Sequence, residues 1–140
     1  MRLFALVMFA AGIASAQIPL VPLTKDFQAV QEQAVQQKKL MVVSLGREAC
    51  GNCQKFYGYL KSGDVKLDTN KVIYVKMDID NYDHQNYFFT FFNVYGNVLP
   101  FVGVMSGKGE IYGKTRTGFG TAEDYTAFFK AAFEETAKPK

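Results

Sequence analysis

An α/β fold, with one mixed β-sheet covered by helices on both faces, is what this sequence predicts. Three observations carry that expectation. The elements alternate as helix, strand, helix, strand, helix, strand, strand, helix, an order that right-handed crossovers allow few ways of arranging. The first strands are short, almost wholly apolar runs, as expected of strands buried on both faces. The 140 residues, 49% hydrophobic and 21% charged, suit one core, and no linker or internal repeat divides them.

Each element has a local justification. Thr24 is a candidate cap for a first helix in which Phe27, Val30, Ala34 and Val35 recur at helical spacing. Leu40 to Leu45 follows as a buried strand, interrupted only by Ser44. A helix from Gly51 to Leu60 places Cys53, Phe56, Tyr57 and Leu60 on one side and ends at Ser62-Gly63-Asp64. Lys71 to Ile79 reads as a second buried strand. Asp83 is a candidate cap for an aromatic helix carrying Tyr87, Phe88, Phe91, Phe92 and Tyr95, closed by Gly96-Asn97. In that helix Phe89 is out of phase and expected to be exposed, and His84 is expected on the surface. Leu99 to Met105, the turn Ser106-Gly107-Lys108-Gly109 and Glu110 to Lys114 read as a hairpin. Thr121 begins a last helix through Tyr125, Phe128, Phe129, Ala132 and Phe133, with Glu123 and Asp124 in its first turn.

The N-terminus carries a targeting pattern. Arg2 supplies a minimal positive region, Leu3 to Ile13 are apolar or small, and Ala14-Ser15-Ala16 fits a small-residue cleavage site. The apolar stretch is shorter than the ~20 residues that span a bilayer. The expected organisation is a signal peptide at 1–16, an irregular leader at 17–23, one domain at 24–136 and a tail at 137–140. Export to a secreted or periplasmic location follows, with no stable membrane insertion after cleavage. Sixteen Lys and Arg against thirteen Asp and Glu form no basic run that could track a phosphate backbone, so nucleic acid is not an expected partner.

The chemistry lies in Cys50-Gly51-Asn52-Cys53, between a buried strand and a helix. A thiol at a helix start faces unpaired backbone N–H groups and the positive end of the helix dipole, which favour thiolate. Cys50 is therefore the candidate nucleophile. Cys53, one turn further in, is the candidate resolving thiol, and Gly51 is expected to let the backbone turn tightly between them. Two blander readings of the pair compete, and its charged neighbours have one of their own. A static disulfide would close too small a loop to remove much chain entropy. A metal site needs more ligands than two thiols and a lone His84, so no metal is expected, although copper(I) on two thiolates is a minor alternative. The charged neighbours Arg47, Glu48 and Lys55 read equally as tuning groups and as a solvated rim.

From about Thr24 to Glu135 the sequence resembles the thioredoxin superfamily. The Cys50-Gly51-Asn52-Cys53 motif, Lys76-Met77-Asp78-Ile79-Asp80, Val98-Leu99-Pro100, the glycine-containing hairpin turn and Gly118 occur in the family's order. The resemblance implies a thioredoxin-like fold, a cis bond at Leu99-Pro100, and substrate contacts from Gly51, Asn52, Leu99 and Pro100. It also implies a thiol–disulfide oxidoreductase that uses the Cys50–Cys53 pair and no organic cofactor, since no nucleotide-binding glycine fingerprint is present. The expected partners are exported proteins with thiols or disulfides, and a redox donor or acceptor. The reducing direction is favoured.

Departures from the family pattern are informative. Ala49 and Asn52 stand where thioredoxins have tryptophan and proline. Ser44 stands at the buried acid and Gly58 at the helix-kinking proline, while the accompanying lysine is matched by Lys76. Without a carboxylate at position 44, Lys76 is expected to lower the thiol pKa values. The competing reading is a polypeptide-binding or chaperone-like module in which the cysteines are vestigial or permanently paired.

Overall fold

The computed structural model describes residues 26–138. The expected signal peptide, the leader, Thr24 and the last two residues lie outside that range.

The central element is β1 (Leu40–Gly46), paired in parallel with β2 (Val72–Asp78) on one edge and antiparallel with β3 (Phe101–Ser106) on the other. Adding β4 (Ile111–Thr117) beside β3 gives a four-stranded mixed sheet in the order β2-β1-β3-β4. Because successive strand residues point to opposite faces, the apolar run of β1 feeds two cores. Met41, Val43 and Leu45, with Ile73, Val75 and Met77 of β2, pack against α1 (Phe27–Gln36) and α3 (Tyr82–Phe91). Val42, with Val72, Tyr74, Val102 and Val104, packs against α2 (Gly51–Ser62) and α4 (Ala122–Thr136). The expected α/β architecture with helices on both faces is the one observed.

Several boundaries differ from the sequence expectation. Asp26 is the N-cap of α1, its Oδ1 accepting from Ala29 N at 3.1 Å, so the cap is not Thr24. The buried stripe of α1 is Phe27, Val30 and Ala34; Val35 lies about 100° around the helix from Ala34 and is exposed. In α3 the cap is Asn81, whose Oδ1 accepts from both Asp83 N and His84 N, and Asp83 occupies the first turn. That helix ends at Phe91 instead of reaching Tyr95. Phe92 is extended and fully enclosed, its ring filling the space above Gly103, whereas Tyr95 is 74% exposed. His84 is buried, and its Nδ1 accepts from Asp78 N at 3.2 Å, which ties α3 to the end of β2. Phe89 is exposed as its phase required.

Two predictions follow from this packing. A Cβ at Gly103 would overlap the Phe92 ring. We expect Gly103→Ala to cost about 1–3 kcal/mol in chemical denaturation, as overpacking of a filled core does. The second concerns α4, which opens with a reciprocal capping box: Thr121 Oγ1 accepts from Asp124 N at 3.2 Å and Asp124 Oδ2 accepts from Thr121 N at 2.8 Å. Hydrogen bonding from Thr121, its backbone N–H first, holds the Asp124 carboxyl below its ordinary 3.8. A carboxyl lowered in the folded state contributes fully above its unfolded pKa and loses that contribution as pH falls through the folded value. Thermal unfolding should therefore show Asp124→Asn less stable than wild type at neutral pH, with the difference closing in strongly acid solution.

Candidate active site

Strand β1 ends at Gly46 and a short loop delivers the chain to Cys50, the N-cap of α2. The Cys50 carbonyl accepts from Gln54 N at 3.0 Å, and Cys50 Sγ accepts from Cys53 N at 3.2 Å. The first sulfur therefore sits among the unpaired N–H groups of the helix start. Cys50 and Cys53 form a disulfide with Cα atoms 5.2 Å apart. The two cysteines differ in burial: Cys50 is half-buried, whereas Cys53 is wholly enclosed in the α2/α4 core. Gly51 is exposed and a Cβ there would meet nothing within 4 Å, so no tight turn requires glycine at that position. Helix α2 likewise runs on through Gly58 to Ser62.

The glycine that geometry does require is Gly46. A Cβ there would stand 2.6 Å from Tyr57 Oη and 3.0 Å from Cys53 Sγ, so the end of β1 must be bare for α2 to seat its buried cysteine. Gly46 carried no expectation from the sequence. Its single signal was a glycine directly after a buried strand, consistent with close approach of another element.

Ser44 and Lys76 are register partners and share the sheet face that looks toward α2 and α4. Ser44 Oγ and Tyr74 Oη are hydrogen-bonded at 2.7 Å in full burial. Tyr57 Oη lies toward Ser44, but the serine meets hydrogen-bond geometry only with Tyr74, and Tyr57 Oη has no partner among the described residues. Burial pushes the Tyr57 phenol up to about 12 and the Tyr74 phenol well above its ordinary value. Lys76 Nζ stands 4.3 Å from the centroid of the Tyr57 ring and 3.6 Å from Glu48 Oε2. The ammonium expected to act alone thus has an exposed carboxylate beside it, which offsets part of its field.

Other contacts brace the site. Arg47 makes a bidentate pair with Asp80 at 2.6 and 2.7 Å, joining the loops that follow β1 and β2 and holding the Asp80 carboxyl below its ordinary value. Lys55 stands over the Phe119 ring at 5.2 Å. Of the charged neighbours, then, Arg47 and Lys55 bridge to other loops and Glu48 pairs with Lys76. Leu99-Pro100 is a cis peptide, and Pro100 O accepts from Gly118 N at 3.0 Å. The β1–β3 ladder ends at Leu45 and Phe101, so Leu99 and Pro100 lie just beyond it, at the end of the sheet from which β1 leads to Cys50. Leu99 is half-buried between the two cores.

No family model and no curated protein matches the chain. Among solved structures it is similar to the oxidised C-terminal domain of Neisseria meningitidis DsbD, with a TM-score of 0.57 and 18% identity over 75% of this chain and 91% of that one. It is similar also to the reduced Schistosoma mansoni thioredoxin pre-protein, at 0.54 and 23% over 76% and 90%. The chain has the thioredoxin fold. A further match comes from the complex of ferredoxin:thioredoxin reductase with thioredoxin f2, at 0.53 and 19% over 78% and 89%. In that fold the strand end and helix start that carry the disulfide and the cis-proline loop belong to the same end of the sheet. Among the described residues no helix is long and apolar enough to cross a membrane, and no group of three or more His, Cys, Asp or Glu is placed to hold a metal ion.

The two glycines give opposite expectations. Gly46→Ala must displace Tyr57 or Cys53, and we expect a loss of about 1–3 kcal/mol in denaturant titration of the oxidised protein. Gly51→Ala adds a methyl group into open space on a helix and should leave the protein at least as stable.

Proposed function

We propose that this protein is an exported thiol–disulfide oxidoreductase that exchanges disulfides with other exported proteins, with the reducing direction favoured. The observation that carries the reading is the Cys50–Cys53 disulfide at the start of α2, with Cys50 half-buried and Cys53 enclosed. In the reducing direction the Cys50 thiolate attacks a substrate disulfide and forms a mixed disulfide, releasing one substrate thiolate. Cys53 then attacks Cys50 Sγ, releases the second substrate thiolate and closes the pair, which a dithiol donor must reopen. The helix-start N–H groups stabilise Cys50 as thiolate and as leaving group.

Gly51 is exposed and Asn52 half-buried beside Cys50, while Leu99, half-buried, and Pro100, buried, lie just beyond the β1–β3 ladder at the end of the sheet where β1 leads to the motif. We assign all four to substrate contact. An extended substrate segment would pair with the Leu99 backbone, which stands outside the β1–β3 ladder. Lys76, tempered by Glu48, tunes the thiols through its positive charge. Export is supported by the N-terminal sequence pattern, and a protein electron donor by the fold shared with a thioredoxin solved together with a reductase. The chemistry of the pair itself calls for no organic cofactor.

Counting free thiols against a buffered dithiol ladder tests the reading. We expect a reversible two-electron transition, together with insulin reduction that falls to background in Cys50→Ser. Cys53→Ser should instead accumulate a mixed disulfide at Cys50, visible by mass spectrometry. A pair that never opens, or peptide binding that persists with no exchange in the wild type, would establish the binding module instead. For the tuning role, Lys76→Met should raise the Cys50 titration midpoint, and an unchanged midpoint removes Lys76 from it.

A further inference from the structure

Opening the disulfide leaves a negative charge in an enclosed place. When a donor thiolate attacks Cys50 Sγ, the new S–S bond forms there, the Cys50–Cys53 bond breaks, and its electron pair leaves on Cys53 Sγ. That sulfur has no solvent exposure and lies in an aromatic and aliphatic core. A thiolate there is costly unless a donor meets it. Ser44, on the neighbouring strand, is bonded to Tyr74, and Lys76 is shared between the Tyr57 ring and Glu48.

One hydroxyl remains. Tyr57 Oη is buried, has no hydrogen-bond partner among the described residues, and lies on the α2 turn that follows Cys53. It approaches the bare face of Gly46 beside Cys53 Sγ. The two atoms stand 2.6 and 3.0 Å from one point, the position of the missing Gly46 Cβ, so their separation cannot exceed the sum of those distances. An orphaned buried hydroxyl beside a buried sulfur is expensive unless some state of the site uses it.

We propose that Tyr57 donates a hydrogen bond from Oη to the Cys53 sulfur when the disulfide opens, holding the buried thiolate that the exchange reaction creates. The inference rests on the oxidoreductase reading above. No proton is transferred: the electron pair stays on Cys53 Sγ and the phenolic proton stays on oxygen, since a phenol is protonated at neutral pH and burial raises this one further. In the opposite step, the same bond enlarges the thiolate fraction of Cys53 that attacks the mixed disulfide. Tyr57 and Gly46 thus act together, the glycine making the approach possible and the hydroxyl using it.

The test is a titration of Cys53 alone, in the full chain carrying Cys50→Ser, by thiolate absorbance against pH. Tyr57→Phe removes the hydroxyl and keeps the ring under Lys76 and against Phe56. The groups facing Tyr57 from the neighbouring elements, namely Ser44, Tyr74, Lys76, Asp78, Glu48 and Tyr125, are the same in both proteins. We expect the Cys53 midpoint to rise by about one pH unit, the size of one hydrogen bond to a charged group. An unchanged midpoint overturns the proposal. Should Tyr57→Phe fail to fold, the carbon-13 shift of Tyr57 Cζ in the chain carrying only Cys50→Ser gives the answer without it. That shift should step at the Cys53 midpoint and lose the step when Cys53 is also serine; a flat response overturns the proposal. An unshifted titration with intact insulin reduction sinks the Tyr57 role alone, whereas a shifted titration in a protein that exchanges nothing sinks the oxidoreductase reading alone.

Discussion

The double burial of β1 is the constraint on which the rest of the structure depends. It is paired on both edges and packed on both faces, so every side chain from Met41 to Leu45 is committed to one of two cores. Odd positions serve α1 and α3, and even positions serve α2 and α4. A shift of one residue in its register would exchange these sets and point Ser44 into the wrong layer. The same strand aims the chain at Cys50, so the position of the disulfide inherits the rigidity of a strand packed on both faces.

Polarity in the α2/α4 layer is concentrated at the end where the cysteines lie. Ser44, Tyr74, Tyr57 and Lys76 form a small polar cluster within an otherwise apolar and aromatic face, with Cys53 at its edge. A buried polar group is tolerated when it is paired. Ser44 and Tyr74 satisfy each other, and Lys76 reaches Glu48 at the surface. The unpaired member, Tyr57 Oη, lies beside the sulfur whose charge changes during disulfide exchange. The loops around this end are tied to one another by Arg47–Asp80 and by Lys55 over Phe119, which supports the site from outside the core.

Features with a strong local signal were legible in the amino-acid order. The apolar run at Leu40 to Leu45, the Cys50-Gly51-Asn52-Cys53 motif at a helix start, the glycine stop after α2 and the Thr121 cap of α4 each rest on residues adjacent in the chain. Caps and ends were less legible where two residues compete: Asn81 and Asp83 are both able caps, and Tyr95 continues the aromatic spacing of α3 after the backbone has left the helix. His84 looked like a surface residue because no neighbour in sequence predicts that its Nδ1 meets the Asp78 N–H. Gly51 was expected to permit a tight turn and Gly46 drew no expectation, yet it is Gly46 that the neighbouring side chains require to be bare.

The sequence by itself determined which elements form and which thiols are placed to react, because helix starts, apolar runs and turns are written in contiguous residues. Only the tertiary structure decided the surroundings of those thiols. The burial of Cys53 and the bare face of Gly46 depend on where α2 lies against β1, and the pairings of Lys76 with Glu48 and of Ser44 with Tyr74 join residues about thirty positions apart. Those approaches are set by the packing of two helix layers onto one strand, and a distance between packed layers has no signature in the order of residues along either one.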